Sequence, residues 1–316
     1  MLSYFEQKIR SRKNKFLSSI WPTPFLFQKK PLKKSGITPN ILQPQDYRDL
    51  VLKTMAFPDN EARAIVCDKL ALRGYVEEKL GDGYLPDLID VCEHFEELKL
   101  HEYPVPFVLK PNHASGCLHL VFSAEDLAEI DEETECWMEY RHNEAVEWVY
   151  RNIEPRYFVE EMLCDNNNHP LPDYKITCFF GEPVMIWKDT DRFGTHYQDI
   201  FTPEWEPIKA QLLYPGSPDI KPDKPKTLDR MLEIARILSK GFSFIRVDLY
   251  SDNEKIYVGE LTSFTEAGNF VYSPRDFDQH LYQLYLEHRD RWISKQRKHY
   301  KIKAMQKLKK ADTPSY

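Results

Sequence analysis

The chain has 316 residues, 13% of them aromatic, and no low-complexity stretch, so it can bury a large core and is expected to form two or three lobes. No run approaches the ~18 apolar residues that span a bilayer, and the six scattered cysteines (Cys67, Cys92, Cys117, Cys136, Cys164, Cys178), with no CxxC pair and no clustered histidines, fit free thiols rather than a disulfide framework or a zinc site. The net charge of −7 hides two basic ends: residues 1–35 hold nine Lys or Arg against Glu6 alone, and residues 291–310 hold nine and no acid.

Residues 1–45 are basic and punctuated by prolines, with no firm element; two prolines break the early apolar patch and no small-residue cleavage site follows, so no signal peptide is expected. The expected location is the cytoplasm. Helices are expected over Tyr47 to Met55 and Ala62 to Leu80, before a loop at Gly81-Asp-Gly83. Pro104 to Lys110 reads as a strand, Pro111 to Cys117 as a turn-rich loop, and Leu118 to Phe122 as a returning strand. Ser123 to Tyr150 reads as helix, with Ser123 as N-cap and Glu125 and Asp126 in the first turn. Tyr157 to Leu163 is a strand that ends in a polar loop, Asp165 to Pro172. Tyr174–Phe180 and Pro183–Lys188 form a hairpin with Gly181-Glu182 at its turn. Residues 203–226 are a proline-rich excursion. Thr227 to Lys240 is an amphipathic helix ending at Gly241. A hairpin over Phe244–Tyr250 and Lys255–Thr262 follows, then a long basic helix from Pro274 to about Leu308. No internal repeat is present.

Strand residues alternate faces, so Ile245, Val247 and Leu249 share one side of the last hairpin and Arg246 and Asp248 the other. If its loop holds an odd number of residues, Asp248 and Glu260 point the same way, beside Thr262. Two readings fit. Carboxylates on rigid strands suit a magnesium ion that phosphate oxygens also hold; equally, a half-solvated hairpin carries ordinary ion pairs. Three lysines bear on the choice. Lys110 ends an apolar strand and faces a loop whose N–H groups can wrap phosphate, Lys175 sits mid-strand among hydrophobic residues, and Lys69 opens a helix behind Asp68. Each alone is more often a surface lysine, as Lys188 is expected to be. Interleaved with a strand–loop–strand, a Glu-Glu strand end and a carboxylate hairpin, they form a constellation.

That order resembles the ATP-grasp superfamily, in its teichuronopeptide-biosynthesis (TupA-like) branch. The matching text runs from about Asp68 to Phe270: DKLALRGYV, FVLKPNHASG, WVYRNIEPRYFVEEML, LPDYKITCFFGEPV, DRFGTHYQDIF, and FIRVDLY with IYVGELT. The resemblance implies an α+β ATP-grasp fold, two α/β lobes clasping ATP, with a helical N-terminal region and a long basic C-terminal helix. The implied divisions are a basic segment over 1–45, a helical region over 46–103, a small lobe with phosphate loop and adenine strand over 104–190, a large lobe with the metal site over 191–290, and a basic helix end and tail over 291–316. It further implies that Lys69 and Lys110 hold ATP phosphates, with Asn112, His113, Ser115 and Gly116 in a loop closing over them. Glu160, Glu161, Met162 and Leu163 form the adenine-side strand, Asp173 lies near the ribose and Lys175 reaches the phosphates. Arg246 and Arg192 face the substrate or acyl phosphate, and Asp248, Glu260 and Thr262 hold Mg2+. The chain departs from the family pattern at Ala114 and Cys117, which replace loop glycines, and at Thr262, which stands where many members have asparagine; Glu266 or Asn269 is then a further candidate ligand.

The implied activity is an ATP- and Mg2+-dependent carboxylate–amine ligase acting through an acyl phosphate, which joins an amino acid or other amine to a uronic-acid carboxylate in surface polysaccharide. Two rivals remain at this stage: an ATP-grasp kinase phosphorylating a hydroxyl, and a glycosyltransferase suggested by the DxD pattern Asp189-Thr-Asp191. The basic ends suit peripheral contact with a glycan or with an anionic membrane at its inner face, or are simply solvated tails. No RNP-like, KH or zinc-knuckle pattern is present, so nucleic acid is not an expected partner.

Overall fold

The computed structural model describes residues 38–311 except 131, 140–146, 166–168, 191–194 and 219–222, and for 300–311 only the course of the backbone. The basic start and Arg192 therefore lie outside the described residues. Helix α1 spans Tyr47–Ala56, and the Asp46 carboxylate accepts the Asp49 N–H at 2.8 Å to cap it. The expected single helix over Ala62 to Leu80 is two, α2 (Ala62–Cys67) and α3 (Ala71–Leu80). Asp68 breaks it. Its backbone is extended there, and its Oδ1 accepts the N–H groups of Leu70 (2.9 Å) and Ala71 (3.3 Å), a side-chain alternative to helical bonding.

The first sheet has the order β1 (Leu88–Cys92), β4 (Tyr157–Glu161), β2 (Phe107–Pro111), β3 (His119–Val121), antiparallel throughout. Strand β1 falls inside the stretch expected to be helical. It ends the sheet and buries only Cys92, so its sequence lacks the apolar alternation that marks a half-buried strand. The expected helix over Ser123 to Tyr150 is replaced, among the described residues, by 3-10 turns at Ala124–Glu129, Cys136–Glu139 and Trp148–Tyr150 and one α-turn at Glu132–Glu135. The capping expectation at its start holds: Asp126 Oδ2 accepts the Ser123 N–H at 2.9 Å. Phe107, Leu109, Val121, Trp137, Tyr157 and Val159 form this lobe's core.

The second sheet has five strands: β5 (Asp173–Phe179), β6 (Glu182–Thr190), β7 (Tyr197–Phe201), β8 (Phe244–Ser251) and β9 (Ile256–Thr262), in the order β7-β6-β5-β8-β9. The large-lobe sheet thus begins at Asp173 and not at the expected 191, because β5 pairs directly with β8. The β5–β6 turn is Phe180-Gly181, one residue earlier than expected, with both φ positive as a two-residue primed turn requires. Helix α4 (Leu228–Ser239) sets Met231, Ile234, Ala235 and Leu238 against Tyr174, Ile176, Cys178, Ile245, Val247 and Leu249 on one sheet face. The other face carries the polar residues described below.

Helix α5 (Asp276–Ala311) docks its first half through Phe277, Leu281, Leu284 and Tyr285. Phe180 meets the Tyr285 ring (5.2 Å) and the Trp292 ring (5.7 Å) in tilted contacts. Among the described residues no helix is long and apolar enough to cross a membrane.

Candidate active site

Register puts the metal-candidate carboxylates together by an unexpected route. Near its turn the β8–β9 hairpin pairs Ser251 with Ile256 and Leu249 with Val258, so the loop holds an even number of residues. Left alone, that parity would set Asp248 opposite Gly259. A bulge between Leu249 and Asp248 inserts Gly259 as an extra residue, and Asp248 then pairs with Glu260 and Arg246 with Thr262. Glycine is needed there, since a Cβ would sit 2.6 Å from the Tyr250 ring.

On this face Arg246 donates from Nε to Asp248 Oδ1 and from Nη2 to Asp248 Oδ2, both at 2.7 Å. The same Nη2 reaches Thr262 Oγ1 at 2.9 Å and Glu260 Oε1 at 3.4 Å, and Thr262 donates to Glu260 Oε1 at 2.6 Å. The guanidinium lies over Trp187, 5.5 Å from its centroid. Strand β5 contributes Lys175, opposite Asp248, and Asp173, opposite Asp189 of β6. Lys175 Nζ bonds the Asp173 carboxylate and lies 3.1 Å from Asp189 and 3.8 Å from Asp248. Lys188 projects from the opposite face of β6, half-buried, and burial lowers its pKa; it is not the open surface lysine the sequence suggests.

The first sheet and the α2–α3 segment supply the rest. Lys110 Nζ pairs with Glu160 Oε1 at 2.5 Å, Arg73 approaches the other Glu160 oxygen at 3.5 Å, and Lys110 lies over Phe158. The break at Asp68 turns Lys69 toward the loop, where Nζ donates to the Ala114 carbonyl at 2.5 Å. Asn112 is a brace: its Nδ2 donates to Asp68 Oδ1 (3.0 Å) and Glu154 O (3.1 Å), and its Oδ1 accepts the Arg156 N–H (2.9 Å). His113 is buried beside it, whereas Ser115 and Gly116 are exposed, with Gly116 at φ 78°. Of the strand end expected beside adenine, Glu160 faces Lys110, Glu161 N donates to Asp87 O at 2.9 Å, Met162 N donates to Pro106 O at 3.2 Å, and Leu163 O accepts the Leu171 N–H at 3.1 Å. Glu266 is exposed on a left-handed turn over Thr265–Gly268, and Asn269 N donates to its carbonyl.

These charges perturb one another. Burial depresses the Lys69 ammonium, with Glu260 pulling the other way and Lys110 adding to the depression. Burial also works against the charge on Lys175, but Asp173 and Asp248 outweigh it and raise its pKa. The Asp248 carboxyl is lifted by burial to about 6, against Arg246 and Lys175. Burial acts to raise Glu260 too, yet Lys69 and Arg246 hold it down at about 2. Lys69 is coupled both to Glu260 of the second sheet and to Lys110 of the first, so the site lies between the two sheets. Oxygen donors on paired strands, one of them 38% exposed at Glu260, fit Mg2+, which takes one or two carboxylates and leaves its other positions to water and phosphate. Asp248 must loosen its hold on Arg246 to share a cation.

Sequence reasoning missed three residues here. Arg73 braces Glu160. Gln198 lies on β7, an edge strand read only as part of a motif, and His196 immediately precedes that strand; Gln198 Nε2 donates to Asp189 Oδ1 at 2.9 Å, and His196 Nε2 lies 3.5 Å from the same oxygen. The alternation Gln198, Ile200 against Asp189, Trp187 was the available signal. Asp189 is buried in this network and paired with Lys175 and Gln198; Asp191 lies outside the described residues.

A family model described as TupA-like ATPgrasp matches residues 50–286, more than half of the chain. No curated protein matches it by sequence. Among solved structures, it is similar to a D-alanine–D-alanine ligase from Bacillus anthracis complexed with ATP (15% identity, 63% of this chain and 55% of that one, TM-score 0.41). It is also similar to an L-amino acid ligase from Bacillus licheniformis (14%, 68% and 54%, TM-score 0.40) and a D-alanine–D-alanine ligase from Helicobacter pylori (12%, 71% and 57%, TM-score 0.39). The match spans little more than half the length of each.

Proposed function

Because the chain belongs to the TupA-like ATP-grasp family, we propose that it is an ATP- and Mg2+-dependent carboxylate–amine ligase that works through an acyl phosphate. One observation carries the reading: Asp248, Glu260, Thr262 and Arg246 share a sheet face with Lys175, and Lys69, bonded to the loop that follows β2, is close enough to depress the Glu260 pKa.

A carboxylate is a poor electrophile until phosphorylated. In this reading its oxygen attacks the γ-phosphorus of ATP, ADP departs, and an amine then displaces phosphate from the acyl carbon. Lys69, Lys110 and Lys175 neutralise the phosphates, and Arg246, once loosened from Asp248, is free to hold the acyl phosphate. Asp248 and Glu260, with Thr262 beside them, would hold Mg2+, which would supply charge neutralisation at the transferring phosphoryl group. The loop at Ser115-Gly116, which is exposed, takes in this reading the role of excluding water, which would hydrolyse the intermediate.

The substrate reading is a uronic-acid carboxylate of a surface polysaccharide, joined to an amino acid or other amine; its support is the family resemblance and the basic ends, suited to a polyanionic acceptor or an anionic membrane. The test is ATP turnover with a glucuronate-containing tetrasaccharide and hydroxylamine. The ligase reading expects ADP and a hydroxamate in equal amounts. A stable phosphorylated sugar, unmoved by hydroxylamine, would instead mean phosphotransfer to a hydroxyl.

A further inference from the structure

An amine that arrives as an ammonium has no lone pair to attack with, so amide formation needs a proton acceptor near the acyl phosphate. Glu160, Asp173, Asp189 and Asp248 are each bound to a lysine or arginine, and Glu260 belongs to the metal pair. At the β6–β7 edge of the same face stands an imidazole. His196 stacks on Tyr214 with centroids 3.6 Å apart, and its side chain is 15% exposed. Its Nε2 is buried and 3.5 Å from Asp189 Oδ1, with no shorter bond.

Asp189 is itself fixed, by Lys175 at 3.1 Å and by Gln198 Nε2 at 2.9 Å. A fixed carboxylate beside one ring nitrogen selects the tautomer that carries a proton there and leaves the other nitrogen bare. With Nε2–H turned to Asp189, Nδ1 is the basic atom. Gln198 Oε1, two residues further along on β7, is a buried acceptor with no donor among the described residues, which an N–H-bearing ligand would satisfy. The contacts run His196, Asp189, Lys175, Asp248, so the ring stands one carboxylate away from the lysine beside the metal pair.

We propose that His196 is the catalytic proton acceptor for the incoming amine, that Asp189 is its positioning residue, and that the amine enters at the β6–β7 edge beside Tyr214. The inference rests on the ligase reading above. His196 Nδ1 takes one proton from the ammonium. The freed nitrogen pair forms the C–N bond at the acyl carbon as the C–O bond to phosphate breaks; phosphate leaves with that electron pair and takes up the second nitrogen proton. The imidazolium then returns its proton to water. The groups facing the ring are Asp189 from β6, with Lys175 and Asp173 behind it on β5, Gln198 on β7, and Tyr214 from the 203–226 excursion.

Hydroxylamine and glycine separate this role from a structural one, since hydroxylamine is largely uncharged at neutral pH and glycine is not. With the tetrasaccharide, ATP and Mg2+, His196→Gln should retain hydroxamate formation but lose about 100-fold or more of glycine coupling. The pH profile of glycine coupling should change in the variant, whose rate should simply track free amine. Equal loss with both amines, or an unchanged pH profile, overturns the proposal. If wild-type protein turns over neither amine, the ligase reading has failed, and long-range 1H–15N NMR still decides the subsite. The expected result is His196 in its Nε2–H form, shifting as glycine is titrated in beside Mg2+ and a non-hydrolysable ATP analogue, with Asp189→Asn altering the tautomer. A ring insensitive to glycine overturns it.

Discussion

Arg246 holds both oxygens of Asp248, through Nε and Nη2, each at 2.7 Å. The face therefore stands charge-paired by its own residues: Arg246 on Asp248, Lys110 on Glu160, Lys175 on Asp173. Buried charges without counter-ions are costly, so an anionic nucleotide and its cation must enter together, exchanging partners rather than adding charge.

Lys110 and Lys175 should differ on substitution. Lys110→Ala removes a partly exposed ammonium and should weaken ATP binding about tenfold or more, at roughly 1.5–3 kcal/mol per charge-assisted contact, with little loss of stability. Lys175→Ala should do the same and also strip Asp173, Asp189 and Asp248 of a shared buried partner, costing about 3–5 kcal/mol of stability. Calorimetric titration and thermal melts check both. Lys79, exposed, paired with Glu78 and lying over the Tyr75 ring, is the control, since Lys188 is half-buried on the opposite face.

Gly259→Ala should cost about 1–3 kcal/mol through its clash with the Tyr250 ring, and should misplace Glu260. Tyr250→Ala in the same chain should recover part of that stability. A double-mutant cycle with no coupling would show that the bulge tolerates a side chain.

The Asp278 carboxyl, buried at the α1–α5 contact, is pushed up to about 7 by burial and then by Asp46, against Arg48. The fold therefore retains a proton that the unfolded chain gives up near pH 4. Stability should fall as pH rises from about 4 to 7 and then level off, because only the folded state binds that proton in the interval. Asp278→Asn should remove the slope, and at pH 8 should stabilise by at most about 4 kcal/mol, at 1.36 kcal/mol per pKa unit. Thermal melts across pH that keep the same slope in the variant would contradict this.

Both hairpins of the large lobe, and with them Lys175, Arg246, Asp248 and Glu260, were legible because apolar alternation fixes faces. The route to the Asp248–Glu260 pair was not: the loop parity is the reverse of the one assumed, and a bulge at Gly259 restores the pairing. Strands β1 and β7 were missed as sheet edges, where one-sided burial weakens the pattern. The break at Asp68 was hidden in a helical run, since it depends on Asn112 accepting the Lys69 N–H from 43 residues along the chain. His196 carried no local signal; only pairing of β7 with β6 sets it beside Asp189.

Substituting Gln for Lys301, Lys303, Lys307, Lys309 and Lys310, whose side chains lie outside the described residues, should raise the apparent KM for a polymeric acidic acceptor and leave a small acceptor unchanged. The effect should fade in high salt as screening shortens the field. Identical KM values for the polymer at low salt would make this end a solubility tail.

The central claim is that Asp248 and Glu260 share a cation with ATP phosphates. Its most direct measurement is calorimetric titration of a non-hydrolysable ATP analogue, with and without Mg2+, into wild type, Asp248→Asn and Glu260→Gln. The account predicts binding that tightens with Mg2+ in wild type, and loss of that enhancement in both variants while their melting temperatures show a folded protein. Equal Mg2+ enhancement in all three proteins would contradict it.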